Sequence, residues 1–132
     1  GYLSKPEGNG PFAAVIYLHS CNGLSTSNRD RISSLMTSWG YVSLAVDSFA
    51  TRGIKEACTE RRADRRADAM GALLYASKLP YVDPKRIAVV GASQGGGGMC
   101  GTGIHRDHRS STLQQSQESA HGQVMAGLKN SL

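Results

Sequence analysis

Apolar positions in this chain come in short unbroken runs separated by amphipathic stretches. Phe12 to Leu18, Tyr41 to Val46, and the run through Val90 that follows Asp83-Pro84 are each of strand length and lack polar alternation. Runs of that kind suit parallel strands covered on both faces. Tyr2-Leu3-Ser4 reads as a further short strand before a turn rich in Gly and Pro. Between the runs the period changes. Ile32, Leu35, Met36 and Trp39 recur at helical spacing, which predicts a helix from about Asn28 to Trp39 stopped by Gly40. A second helix is predicted over Arg61 to Lys78, with Ala63, Ala67, Met70 and Leu74 on its inner face and Pro80 ending it. The tandem Arg-Arg-Ala-Asp at 61–64 and 65–68 reads as a solvated helix face with Arg/Asp pairs three residues apart.

Strand, helix, strand, helix, strand, helix is the order of an α/β domain, with a parallel sheet of three to four strands flanked by helices. Ligands of such sheets bind at the carboxyl ends of the strands. The loops His19–Ser25, Asp47–Thr59 and Gly91–Gly95 all fall on that edge. After Gly98 the pattern is lost. Residues 1–98 read as the organised part, and 99–132 as a polar tail, helical or disordered, with a helical spacing of Val124, Leu128 and Leu132 and no further strand.

Composition narrows the classes. The 132 residues carry a formal charge of +5, but the basic residues neither form a long run nor interleave with aromatics, which argues against nucleic acid as a partner. No apolar run reaches membrane-spanning length, so no transmembrane helix is expected, and the compartment, cytoplasm or periplasm, stays open. The chain opens on Gly1 rather than Met, so its N-terminus does not report the compartment. Cys21, Cys58 and Cys100 have neither zinc-site spacing nor an even count. Cys21 and Cys58 lie in loops over adjacent strands and are either a disulfide or two free thiols; Cys100 reads as a free thiol. No metal or cofactor is expected. The Gly95–Gly98 run is not a phosphate loop, because no Gly-Lys-Ser/Thr follows it.

The strongest chemical signal is Gly91-Ala92-Ser93-Gln94-Gly95 at the end of an apolar run. This is the pattern of a nucleophile elbow, in which a strained strand-to-helix bend presents a serine hydroxyl. It predicts acyl transfer through a serine ester. A developing oxyanion would need backbone donors, expected from the N–H of Gln94 and, across the loop after the Phe12–Leu18 run, from the N–H of Cys21. His19 is expected to structure that loop rather than to act as a base, and Asp47 to hold its own loop.

The chain resembles the dienelactone hydrolases of the α/β-hydrolase superfamily. The resemblance rests on Tyr17-Leu18-His19-Ser20-Cys21-Asn22-Gly23-Leu24, Trp39-Gly40-Tyr41, Val46-Asp47-Ser48-Phe49, Arg52-Gly53, Val82-Asp83-Pro84 and Gly91-Ala92-Ser93-Gln94-Gly95-Gly96, in that order. It implies a partial α/β-hydrolase fold over roughly residues 1–98, with Ser93 as nucleophile, Cys21 and Gln94 as oxyanion donors, and Arg52 in a loop that can bind a substrate carboxylate. The expected function is a serine hydrolase cleaving a small ester or lactone. Such families place the acid and histidine after two further strands. Here the only Asp or His residues after Ser93 are His105, Asp107, His108 and His121, none after a strand-like run, so the chain reads as truncated after the elbow. The alternative is a catalytically incomplete α/β-hydrolase fragment acting at most as a binding module, whose exposed sheet edge would favour self-association.

Overall fold

The computed structural model describes residues 1–59 and 63–97. Its elements are β1 (Tyr2–Ser4), β2 (Phe12–Leu18), α1 (Thr26–Ser38), β3 (Val42–Val46), a 3₁₀ turn (Ala50–Arg52), α2 (Arg65–Ala76), β4 (Val82–Gly91) and α3 (Gln94–Gly97). The strands form one sheet in the order β1-β3-β2-β4. β2 pairs in parallel with β3 and with β4, while β1 runs antiparallel to β3. This is an α/β architecture, a four-strand and mostly parallel sheet with helices packed on it, consistent with the partial α/β-hydrolase fold the resemblance implies.

β2 is the central strand, which explains its unbroken apolar run: both faces are covered. Val15 and Tyr17 pack with Ile32 and Met36 of α1. Ile16 points the other way and packs with Ala72 and Ala76 of α2. The alternation follows from the period of two along a strand. Burying such side chains is the dominant stabilising term, about 1.5–3 kcal/mol each for full burial of a Val, Leu or Ile.

Three local expectations are corrected. Trp39 does not complete the α1 stripe; it is 37% exposed and is the C-cap, its N–H donating to the Met36 carbonyl while the Gly40 N–H donates to that of Thr37. α2 begins at Arg65 rather than Arg61, because Asp64 is its N-cap and accepts from the N–H groups of Arg66 and Ala67. That start rotates the helix relative to the expected inner face. The buried residues are Arg65, Ala69, Ala72 and Ala76, while Ala67, Met70 and Leu74 face outward. Small side chains let α2 lie close to the sheet. The expected turn at Asp83-Pro84 falls inside β4. Phe12 pairs with Val82 but Ala14 already pairs with Ile87, so an irregularity absorbs the residues between. Within it the Asp83 carboxylate accepts from the Lys85 N–H and Arg86 Nε. The expected tail, with His105, Asp107, His108, His121 and Cys100, lies outside the described residues.

Candidate active site

Ser93 stands between the last residue of β4 and the first of α3, exposed and at φ 50°, the one non-glycine with positive φ among the described residues. L-residues adopt that region at a steric cost. It persists here because the flanking backbone is packed and hydrogen-bonded. The Ala92 N–H donates to the Leu18 carbonyl at 3.0 Å, the Gly95 N–H to Ala92 at 2.9 Å and the Gly96 N–H to Ser93 at 2.9 Å. Gly91 and Gly95 are obligatory by space rather than by φ. A Cβ on Gly91 would run into the backbone of Gly95 and Gly96, and one on Gly95 into the carbonyls of Leu18 and His19. The bend is therefore seated directly on the C-terminal end of β2.

The loop that leaves β2 at that point carries His19, Ser20 and Cys21. His19 is 1% exposed and engaged at both ring nitrogens. Its Nδ1–H donates to the Ser20 carbonyl at 2.7 Å, and its Nε2 accepts the Ser48 N–H at 3.1 Å. Nε2 also faces Arg65 Nη1 at 3.1 Å. Burial foremost, joined by the Arg65 charge, holds the imidazole pKa below its ordinary value, against the raising effects of the Ser20 carbonyl, Asp47 and Asp68. A neutral ring with no free acceptor is a structural part, as its sequence context suggested. Asp47 likewise braces its own loop, its Oδ1 accepting from the N–H groups of Phe49 and Ala50, each at 3.0 Å.

Arg65 is what the sequence reading missed. It is 5% exposed, with Nη2 donating to the His19 carbonyl and its guanidinium 5.3 Å from the Phe49 ring centre. The signal was available: with Asp64 as the cap, Arg65 falls in line with Ala69, Ala72 and Ala76 on the apolar face, not on the solvated one. Arg52 lies in a bidentate pair with Asp68, Nη2 to Oδ1 at 2.7 Å and Nη1 to Oδ2 at 3.1 Å, and Nη1 also donates to the Ser48 carbonyl at 2.6 Å. Asp68 is held below the ordinary carboxylate range: burial raises it, but the hydrogen-bonded Arg52 pair and the nearby Arg65 charge outweigh that.

Cys21 and Cys58 are joined in a disulfide with Cα atoms 4.8 Å apart, which resolves the alternative left open by spacing. The Ala57 N–H donates to the Cys21 carbonyl at 2.9 Å, and the Gln94 side chain donates from Nε2 to the Ala57 carbonyl at 2.8 Å. The loops after β2 and β3 and the bend after β4 thus form one connected patch. Among the described residues, no hydrogen bond occupies the backbone N–H of Cys21 or of Gln94. No group of three His, Cys, Asp or Glu side chains able to hold a metal occurs among the described residues, and no described helix is long and apolar enough to cross a membrane. An open, mainly apolar cavity of about 390 Å³ lies where β1 and β3 meet α2, and Ser93 does not line it.

Compared with known proteins, residues 1–109 match the model of the Dienelactone hydrolase family. No curated protein matches the chain.

Proposed function

The chain belongs to the dienelactone hydrolase family, and we propose that it cleaves a small ester or lactone through an acyl ester on Ser93. One arrangement supports this reading: an exposed hydroxyl at a strained bend, followed by the backbone N–H of Gln94 and linked through the Gln94 side chain and Ala57 to the loop carrying Cys21, both N–H groups being without a partner among the described residues. In the reaction, Ser93 Oγ attacks the ester carbonyl carbon. The two N–H groups take up the charge that develops on the carbonyl oxygen, and each such donor is worth roughly 3–4 kcal/mol in the transition state. Collapse breaks the carbon–oxygen bond and expels the leaving oxygen, which takes up the proton that the Ser93 hydroxyl gave up and in a lactone stays tethered to the acyl group. Water then attacks the acyl-serine and frees the acid. The Arg52 guanidinium, at 41% side-chain exposure, offers a cationic rim for a carboxylate-bearing substrate in competition with Asp68.

His19 does not serve as the base, since both its nitrogens are committed. That observation favours a second reading, in which the described residues form a half-site that acylates slowly with activated esters and does not turn over. Hydrolysis of a p-nitrophenyl ester separates the two. Steady turnover in the wild type, lost in Ser93→Ala, is expected of the enzyme. A single burst on Ser93 without turnover is expected of the half-site, and equal activity in Ser93→Ala contradicts both.

A further inference from the structure

We infer that the Cys21–Cys58 disulfide is a thiol–disulfide exchange site whose state sets the placement of the Cys21 and Gln94 N–H groups beside Ser93. Its effect on rate rests on the acyl-serine reading above; its chemistry and its structural effect do not. The bridge ties the loop after β2 to the far end of the loop after β3, across a sequence separation of 37. Among the described residues, the segment 55–59 is hydrogen-bonded to the rest of the fold only through Ala57. Ala57 is 2% exposed and links the two donor residues: its N–H reaches the Cys21 carbonyl and its carbonyl holds the Gln94 side chain. Cys58 is its chain neighbour. Opening the bridge removes the covalent tie beside Ala57 and leaves its two hydrogen bonds to hold the Cys21 and Gln94 residues together.

The site is built to be reached. Cys58 is exposed and Cys21 only half-buried, so an external thiolate has access to the Cys58 sulfur first. With a dithiol as reductant, one thiolate attacks Cys58 Sγ and the Sγ–Sγ bond breaks. The electron pair leaves on Cys21 Sγ, which takes a proton. The second thiol of the reagent then attacks its own sulfur in the mixed disulfide. Cys58 leaves as thiolate and is protonated, and the reagent departs as its disulfide. Oδ1 of Asn22 lies 2.9 Å from Cys58 Sγ, placed to accept the thiol hydrogen of the reduced state.

The test uses the full chain in a Cys100→Ser background, oxidised or treated with dithiothreitol. Two readouts are taken: the rate of Ser93 labelling by a fluorophosphonate and the backbone amide resonances of Cys21 and Gln94. Reduction is expected to move both resonances and to slow labelling at least about tenfold, a part of the loss seen when a donor is deleted outright. Reoxidation should restore both. Cys58→Ser should label at the slow rate whether or not dithiothreitol is present. The inference is overturned by unmoved resonances, by a labelling change under about twofold against that expected tenfold, or by Cys21 and Cys58 alkylating without reductant. Collapse of the whole amide spectrum on reduction also overturns it, since the bridge would then staple the fold rather than set two donors. Absence of labelling in the oxidised protein counts against the acyl-serine reading alone, and the resonances still decide this one.

Discussion

Arg65 reaches from the first turn of α2 to donate to both the backbone carbonyl and the ring Nε2 of His19. A buried cation thus holds the residue at which β2 becomes the loop carrying Cys21. Its own burial is the largest influence on it and lowers its pKa. The charge is tolerated because the guanidinium lies over Phe49 and is hydrogen-bonded to His19, with Nε alone left without a partner.

Replacing Arg65 by Met keeps much of the packing on Phe49 but leaves the His19 carbonyl without its donor, while Nε2 keeps the Ser48 N–H. A buried polar group left unsatisfied costs about 1–3 kcal/mol. Urea unfolding of Arg65→Met is expected to show a stability loss in that range. Arg65→Lys should lose less, since an ammonium can still reach one acceptor. Equal stability of all three proteins would show that the contact does not matter.

The His19 ring supplies a pH signature. Its folded pKa lies below the ordinary value, chiefly through burial, so the folded state takes up this proton less readily than the unfolded chain. The resulting stability is complete above about pH 6.5 and is lost as pH falls below it toward the folded pKa. Asp68, also lowered, acts in a separate window further into acid, where stability is lost as its carboxylate is protonated. Titration of the His19 ring by NMR should give a midpoint below the ordinary histidine value. A midpoint at or above it would contradict the environment described here.

Gly95→Ala tests the seating of the bend on β2. The added methyl would meet the carbonyls of Leu18 and His19, backbone atoms that cannot swing aside. Overpacking of this kind costs about 1–3 kcal/mol or more. Thermal unfolding should show that loss in Gly95→Ala and almost none in Gly97→Ala, whose position has open space. Comparable melting of both variants would place the bend elsewhere.

Asp64→Ala removes the carboxylate that accepts from Arg66 and Ala67. Loss of an N-cap costs about 1 kcal/mol. Since α2 starts at the next residue and aims Arg65 inward, the variant should also lose some of the His19 contact, so urea unfolding is expected at or above that figure. No change would argue that the helix starts earlier.

Much of this architecture is legible from apolar patterning, because β2 and β3 are covered on both faces and the half-buried end of β4 packs on the same clusters, so each leaves an apolar run. The bend at Ser93 is legible for a different reason: glycines at 91 and 95 are demanded by backbone crowding. The α2 face was misread because its buried side is made of alanines and one arginine while Met70 and Leu74 point outward, so side-chain size gave the wrong phase. The antiparallel sense of β1 left no trace in a three-residue strand, because direction is set by its pairing with β3. The disulfide could only be left open, since loop positions set proximity but not bond formation. Arg52 could be seen as a loop cation, but its partner Asp68 comes from a helix whose phase was misjudged.

The central claim is that Ser93 Oγ is a nucleophile presented to solvent. Its most direct test is treatment of the folded chain with a fluorophosphonate, followed by peptide mapping by mass spectrometry. The account predicts one covalent adduct per chain, on Ser93, absent from Ser93→Ala. No adduct on the folded wild type, or an adduct on another residue that persists in Ser93→Ala, would contradict it.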